Sequence, residues 1–300
     1  MSVKEVHHKG LGRKVKLGRR RPVAPGPQLR LKNYLTRRLA PPPASCDWSG
    51  AARSSLAQIY DNDTLGDCVV AGMAHVVGTM TGGAGAEFIY TEAQIISLYS
   101  AIGGYVPGDP ATDNGCDEVT ALNYWQDQGA PAGSHQIAGW LAIDPADPVE
   151  YRTALYLFEN LVFGMELPNA WLDGPPSPSG KLLWDVAGNP DPANGHCVAG
   201  VGYDTKGVTI STWGTLGTIT DAAIAAYATA SAGGGLYAVV SRDALNNVTG
   251  LAENGLDWSQ LAADFDAIGG NVDTTNKVTP RLSVQRPLRA ARNINLQAAE

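Results

Sequence analysis

The stretch Asp61 to His75, DNDTLGDCVVAGMAH, places a cysteine where a loop turns into an apolar helix. Asp67 reads as an N-cap and Cys68 as the first helical residue, with Val69, Val70, Met73, Val76, Val77 and Met80 forming a broad apolar surface. The unpaired N–H groups and partial positive charge of a helix N-terminus favour thiolate over thiol, so Cys68 is a candidate nucleophile. The competing reading is a small buried residue filling a gap. Asp67 is either the cap or a carboxylate whose charge raises the pKa of the thiol beside it, and both readings stand. His75, seven residues on, reads as core. Cys46, Cys116 and Cys197 are scattered with no CxxC pair, and His7 and His8 have only Glu5 nearby, so neither a metal site nor a cofactor is expected.

The elements that must position Cys68 divide the chain into a helical first half and a strand-rich second half. Helices are expected from Thr91 to Ala101, from Asn114 or Asp117 to the stop at Gly129, and from Pro148 to Asn160. LVFGMELP follows as an apolar strand. Three more Val- and Ile-rich strands, HCVAGVGY, VTISTW and LYAVVS, come after it, with an Ala-rich helix over 220–230 and a last helix starting at Asp257 to Gln260. Helices first and an antiparallel sheet second is an α+β arrangement.

Charge is distributed in blocks. Residues 1–40 hold 12 Lys and Arg against Glu5, a net +11, and residues 277–300 hold five basic residues against Glu300, a net +4, whereas the body between them carries −22. The prolines at 22, 25, 27 and 41–43 make residues 1–43 an extended basic arm that reaches out, separable from a body that folds without it. The division is a basic arm over 1–43, a main domain over 44–243, a helical extension over 244–270 and a basic tail over 271–300. The partners expected are proteins of a larger assembly held by the N-terminal arm, with sequence-independent nucleic acid contact and self-association as further classes. No apolar run is long enough for a membrane span. No apolar segment follows the basic start, which points away from secretion and toward a virion or the cytoplasm.

With GDCVVAGMAH, NGC...ALNYWQDQG, NGHCVAGVGYD and TWGT in this order, the chain resembles the papain-like cysteine peptidase superfamily over roughly residues 45–243. More narrowly, it resembles papain-fold proteins of bacterial and bacteriophage genomes. The resemblance implies a two-lobed fold whose helical half supplies Cys68 as nucleophile and whose sheet half supplies His196 as general base and acid. It implies Asn62 as oxyanion donor, Gly66 and Asp67 along the cleft, and Trp213 as the indole shielding the histidine. The family's asparagine, which orients the imidazole, is matched in position by Ser211, a shorter hydroxyl. Two functions follow as expectations: a papain-fold component of an assembly such as a phage particle, with residual thiol hydrolysis, and an active cysteine peptidase or amidase.

Overall fold

The chain begins as a hairpin in the computed structural model, which describes residues 3–23, 28–35, 41–174, 181–241 and 258–267. Strands β1 (Lys4–His8) and β2 (Arg13–Leu17) pair antiparallel around Gly12, whose left-handed φ of 63° lets the turn close. Short strand β3 (Cys46–Asp47) and helix α1 (Arg53–Leu56) lead to α2 (Cys68–Gly83). Helices α3 (Glu92–Gly103), α4 (Glu118–Gln128) and α5 (Pro148–Phe158) follow, with β4 (Ile137–Ala142) before α5 and β5 (Leu161–Glu166) after it. Then come α6 (Asn169–Asp173), β6 (Leu182–Trp184), β7 (Gly195–Asp204), β8 (Gly207–Thr212), β9 (Thr215–Thr220), α7 (Asp221–Tyr227), β10 (Gly235–Ser241) and α8 (Trp258–Ala267).

Eight strands form one sheet in the order β4-β10-β5-β7-β8-β9-β6, with β3 added beside β7. Every pairing between these strands is antiparallel except β6 with β9. Side chains of successive strand residues go to opposite cores. Cys197, Ala199 and Val162 join the helical core around α2, α3 and α4, and Val198, Leu161 and Phe163 join a second core with α5 and α7. That two-sided burial is why HCVAGVGY reads as an almost unbroken apolar run. The fold is α+β, as expected.

Helix starts follow the local chemistry. Thr91 and Gln94 form a capping box at α3, Asp117 rather than Asn114 caps α4 by accepting from Thr120 N–H, and Asp147 caps α5. Helix α2 lies against β5, β7 and β8 on one side and α1, α3 and α4 on the other, so 13 of its 16 residues are buried, too many for an amphipathic surface helix. Its glycines set the approach: a Cβ on Gly78 would lie 2.1 Å from Ser55 Oγ of α1.

The basic N-terminal arm differs most from expectation. Val15, Leu17, Leu31 and Tyr34 are buried in the second core, and each such side chain contributes about 1.5–3 kcal/mol of apolar transfer. Tyr34 donates to Asp264 of α8 at 2.8 Å, and Ala142 N–H donates to Leu29 O. Residues 3–23 and 28–35 are therefore part of the folded body, and deletion of 1–43 would open its core. Beyond α8, the expected start at Asp257, the rest of the 244–270 extension and the 271–300 tail lie outside the described residues. Among the described residues no helix is long and apolar enough to cross a membrane.

His75 is core, as its pattern suggested: it is buried, its ring centroid is 5.1 Å from that of Tyr60, and burial pushes its pKa down to about 4 from 6.5. The fold holds the neutral imidazole, while the unfolded chain takes up a proton below pH about 6.5. Stability attributable to His75 is therefore full above that pH and falls as pH drops toward 4, by about 2 kcal/mol at pH near 5. Chemical denaturation at pH near 7.5 and near 5 is expected to show a pH-dependent loss smaller by about that amount in His75→Gln.

Candidate active site

Cys68 opens α2 and is buried, with its thiol pushed up to about 12. Burial is the main cause. The backbone N–H groups of Gly18 and Cys197 at the sulfur pull the other way. Asp67 precedes it in the N-cap position, but its side chain makes no cap bond and neither carboxylate oxygen has a hydrogen-bond partner among the described residues. Burial first, and Asp61 after it, raise this carboxyl well above the usual range. That favours the uncharged acid, which neither caps the helix as a carboxylate nor repels a thiolate at full strength.

His196 comes from β7, one residue before Cys197; the pleat sends its imidazole toward Trp213 of the second core and Cys197 into the helical core that holds Cys68. The imidazole is buried and stacked on Trp213, ring centroids 4.1 Å apart and planes 15° from parallel. Its pKa is pushed down to about 3, by burial first and then by His8. Nε2 shares a 2.7 Å hydrogen bond with Thr212 Oγ1, and Nδ1 has no partner among the described residues.

The residue expected to orient the imidazole was Ser211, and here the structure differs. Ser211 Oγ donates to Leu56 O at 3.3 Å, on the α1 side, and the hydroxyl on His196 belongs to Thr212. Adjacent strand residues point to opposite faces, so a match of sequence position alone selected the wrong hydroxyl. Trp213 and Gly214 then form the two-residue turn between β8 and β9, both with positive φ, 47° and 67°. The left-handed conformation at a tryptophan is strained. In this turn the indole lies over the histidine.

Asn62 also differs in what it holds. Its side-chain N–H groups donate to Leu65 O at 3.1 Å and to Lys16 O at 3.3 Å, so the expected oxyanion donors already have acceptors. Lys16 N–H returns a bond to Asn62 O at 3.0 Å. Tyr60 and Asp61, just before it, have φ of 55° and 62°, a second strained corner beside the site. Gly66 N–H donates to Asp113 Oδ1, which also accepts from Tyr99 OH, while Asp113 Oδ2 accepts from Lys16 Nζ.

These contacts show what sequence reasoning missed: residues 16–20 form a strap through the site. On the helical side Cys116 N–H donates to Gly18 O and Arg20 N–H to Cys116 O; on the sheet side Arg19 N–H donates to Gly195 O at 3.0 Å. The strap passes so close that a Cβ on Gly18 would lie 1.9 Å from Gly66 O. His8 meets Trp213 edge-on with centroids 5.3 Å apart, and Arg13 donates to Trp213 O. The available signal was the alternation in RKVKL following a glycine-flanked turn, a hairpin pattern obscured by its density of charge.

A thiol on a helix N-terminus and a hydroxyl-supported imidazole are the two groups nucleophilic acyl transfer needs, once both are accessible and within reach of each other. Among the described residues no group of three or more His, Cys, Asp or Glu could hold a metal ion. Replacement of Thr212 by valine is expected to move the His196 Nε2 resonance in nitrogen NMR and to cost about 1–3 kcal/mol for the nitrogen left unpaired. Ser211→Ala should leave that resonance in place.

No protein-family model matches the chain, and no curated protein matches it in sequence. In structure it is similar to xylellain, a cysteine protease from Xylella fastidiosa, with 16% identity over 79% of this chain and 98% of that one and a TM-score of 0.56. It also aligns with the cysteine protease and lectin-like domains of Cwp84, a surface layer associated protein of Clostridium difficile, at 15% identity over 69% of this chain and 53% of that one, with a TM-score of 0.49. Procathepsin B S9 from Trypanosoma congolense aligns at 12% identity over 75% of this chain and 86% of that one, also with a TM-score of 0.49. The likeness to xylellain is one of fold, and the fold of this chain is papain-like.

Proposed function

We propose that the chain is a thiol peptidase held closed by its own N-terminal strap. The observation that carries this reading is the run Lys16 to Arg20, hydrogen-bonded to Asn62 and Cys116 on one wall and Gly195 on the other, with Gly18 N–H at the Cys68 sulfur. An extended peptide held by backbone bonds beside a nucleophilic thiol occupies the place a substrate needs. When the strap leaves, water reaches Cys68 and His196 and the burial that keeps them neutral is relieved. Cys68 then attacks a peptide carbonyl while His196 takes the thiol proton and passes it to the departing amine. Water next releases the acyl group and restores the thiol. Asn62, freed of Lys16 O, supplies an N–H to the oxyanion; Thr212 holds the imidazole and Trp213 shields it. Gly66 and Asp67 line the thiol side.

A second reading treats the chain as a structural component of a larger assembly, such as a phage particle, with a permanently closed cleft. Its support is the depth at which the strap is fixed and the neutral thiol and imidazole beneath it.

Gly18→Val in the full chain separates the two, because its side chain cannot fit against Gly66. The peptidase reading predicts that an alkylating probe at neutral pH labels Cys68 on the order of tenfold faster in this variant than in the wild type, with the gain lost in Gly18→Val/His196→Ala. Equal slow labelling of all four cysteines in the folded variant supports the structural reading.

A further inference from the structure

Arg19 of the strap and Arg21, the residue just beyond it, enter acidic sites on the body. Arg19 places Nε and Nη2 on the two oxygens of Glu118, at 2.8 and 2.5 Å, and Nη1 on Gly233 O at 2.5 Å. Both side chains of this pair are wholly buried. Arg21 binds Glu166 in the same two-pronged manner, its own side chain half exposed and that of Glu166 buried.

Both sites are shaped around the guanidinium. A Cβ on Gly164 would lie 2.3 Å from Glu118 Oε1 and 2.7 Å from Arg19 Nε, and a Cβ on Gly233 would lie 2.6 Å from Arg21 Nε and from Glu166 Cδ. Two glycines thus leave the room that two ion pairs fill. Among the described residues Arg19 is the one cation within salt-bridge distance of Glu118. A buried carboxylate stripped of its partner is costly, and a carboxylate beside a carbonyl accepts a planar five-donor group better than a point charge.

We infer that the vacated cleft selects peptides carrying two basic side chains, arginine above all, two residues apart, one at Glu118 and the other at Glu166. This rests on the peptidase reading, since it requires the strap to give way to substrate. Residues i and i+2 of an extended peptide share a face about 7 Å apart, so any strand following the strap's path offers such a pair to both carboxylates. The Glu118 site dominates, because it is dry and the Glu166 site is partly wet. The full chain's net charge of −7 adds long-range attraction for basic peptides.

The test uses the full chain with the strap displaced and turnover blocked, Gly18→Val/Cys68→Ala, and fluorescein-labelled short peptides read by anisotropy. The arms are Arg-x-Arg, Lys-x-Lys and Leu-x-Leu, with circular dichroism checking the fold. Arg-x-Arg is expected to bind at least about tenfold tighter than Leu-x-Leu, with Lys-x-Lys between them. Glu118→Gln should erase most of the preference and Glu166→Gln a smaller part. If the Gly18 variant fails to fold or retains its strap, Arg19→Ala/Arg21→Ala/Cys68→Ala empties the same two sites for the same peptides. Equal binding of Arg-x-Arg and Leu-x-Leu, or no binding of Arg-x-Arg to either variant, overturns the inference. Because binding is measured without the thiol, an unreactive Cys68 in the labelling experiment would remove the peptidase reading and leave this result readable.

Discussion

The buried pair between Arg19 and Glu118 is the constraint on which the closed site depends. Taking both charges out of water is expensive, and the attraction between them does little more than offset that cost. The pair is therefore weak as net stabilisation and strong as specification. Loss of one partner strands the other, a penalty of about 3–5 kcal/mol, so the strap has one register in which its arginine, its glycine and its backbone bonds all fit. Gly18 must fall against Gly66, Arg19 N–H must reach Gly195 O, and Lys16 must reach Asn62. Val15 and Leu17 add apolar burial beside these polar fixtures.

The chemistry beneath follows from that closure. Cys68 is held as thiol and His196 as neutral imidazole chiefly because both are buried. The same elements carry the means to reverse this: a helix N-terminus and two backbone N–H groups at the sulfur, and a threonine hydroxyl on the imidazole. Local strain at Tyr60, Asp61 and Trp213 brackets the site and fixes the loop before the nucleophile and the indole over the histidine. Asp67 is buried beside the thiol with neither carboxylate oxygen hydrogen-bonded among the described residues, and Asn62 and its own backbone N–H offset its burial only in part.

Much of the scaffold was legible because its signals are local. Asp117 and Thr91 announce helix starts, Gly129 a stop, and HCVAGVGY a strand. The histidine's partner was not legible, since Ser211 and Thr212 are adjacent and only strand pleating decides which hydroxyl meets His196. The strap was hidden for a different reason. RKVKLGRRR looks like a solvated basic run until Glu118 and Glu166, about a hundred residues or more away in sequence, supply its counter-charges. Glu118 itself looked like an ordinary acidic residue in the first turn of a helix.

Amide hydrogen exchange of the full-length protein tests the central claim directly, because the claim concerns backbone bonds. The N–H groups of Arg19 and Arg20 should exchange as slowly as those of Cys197 to Val201 in β7, the strand that faces the strap. Exchange of Arg19 and Arg20 at the rate of a free peptide, with β7 still protected, would contradict a strap seated in the cleft.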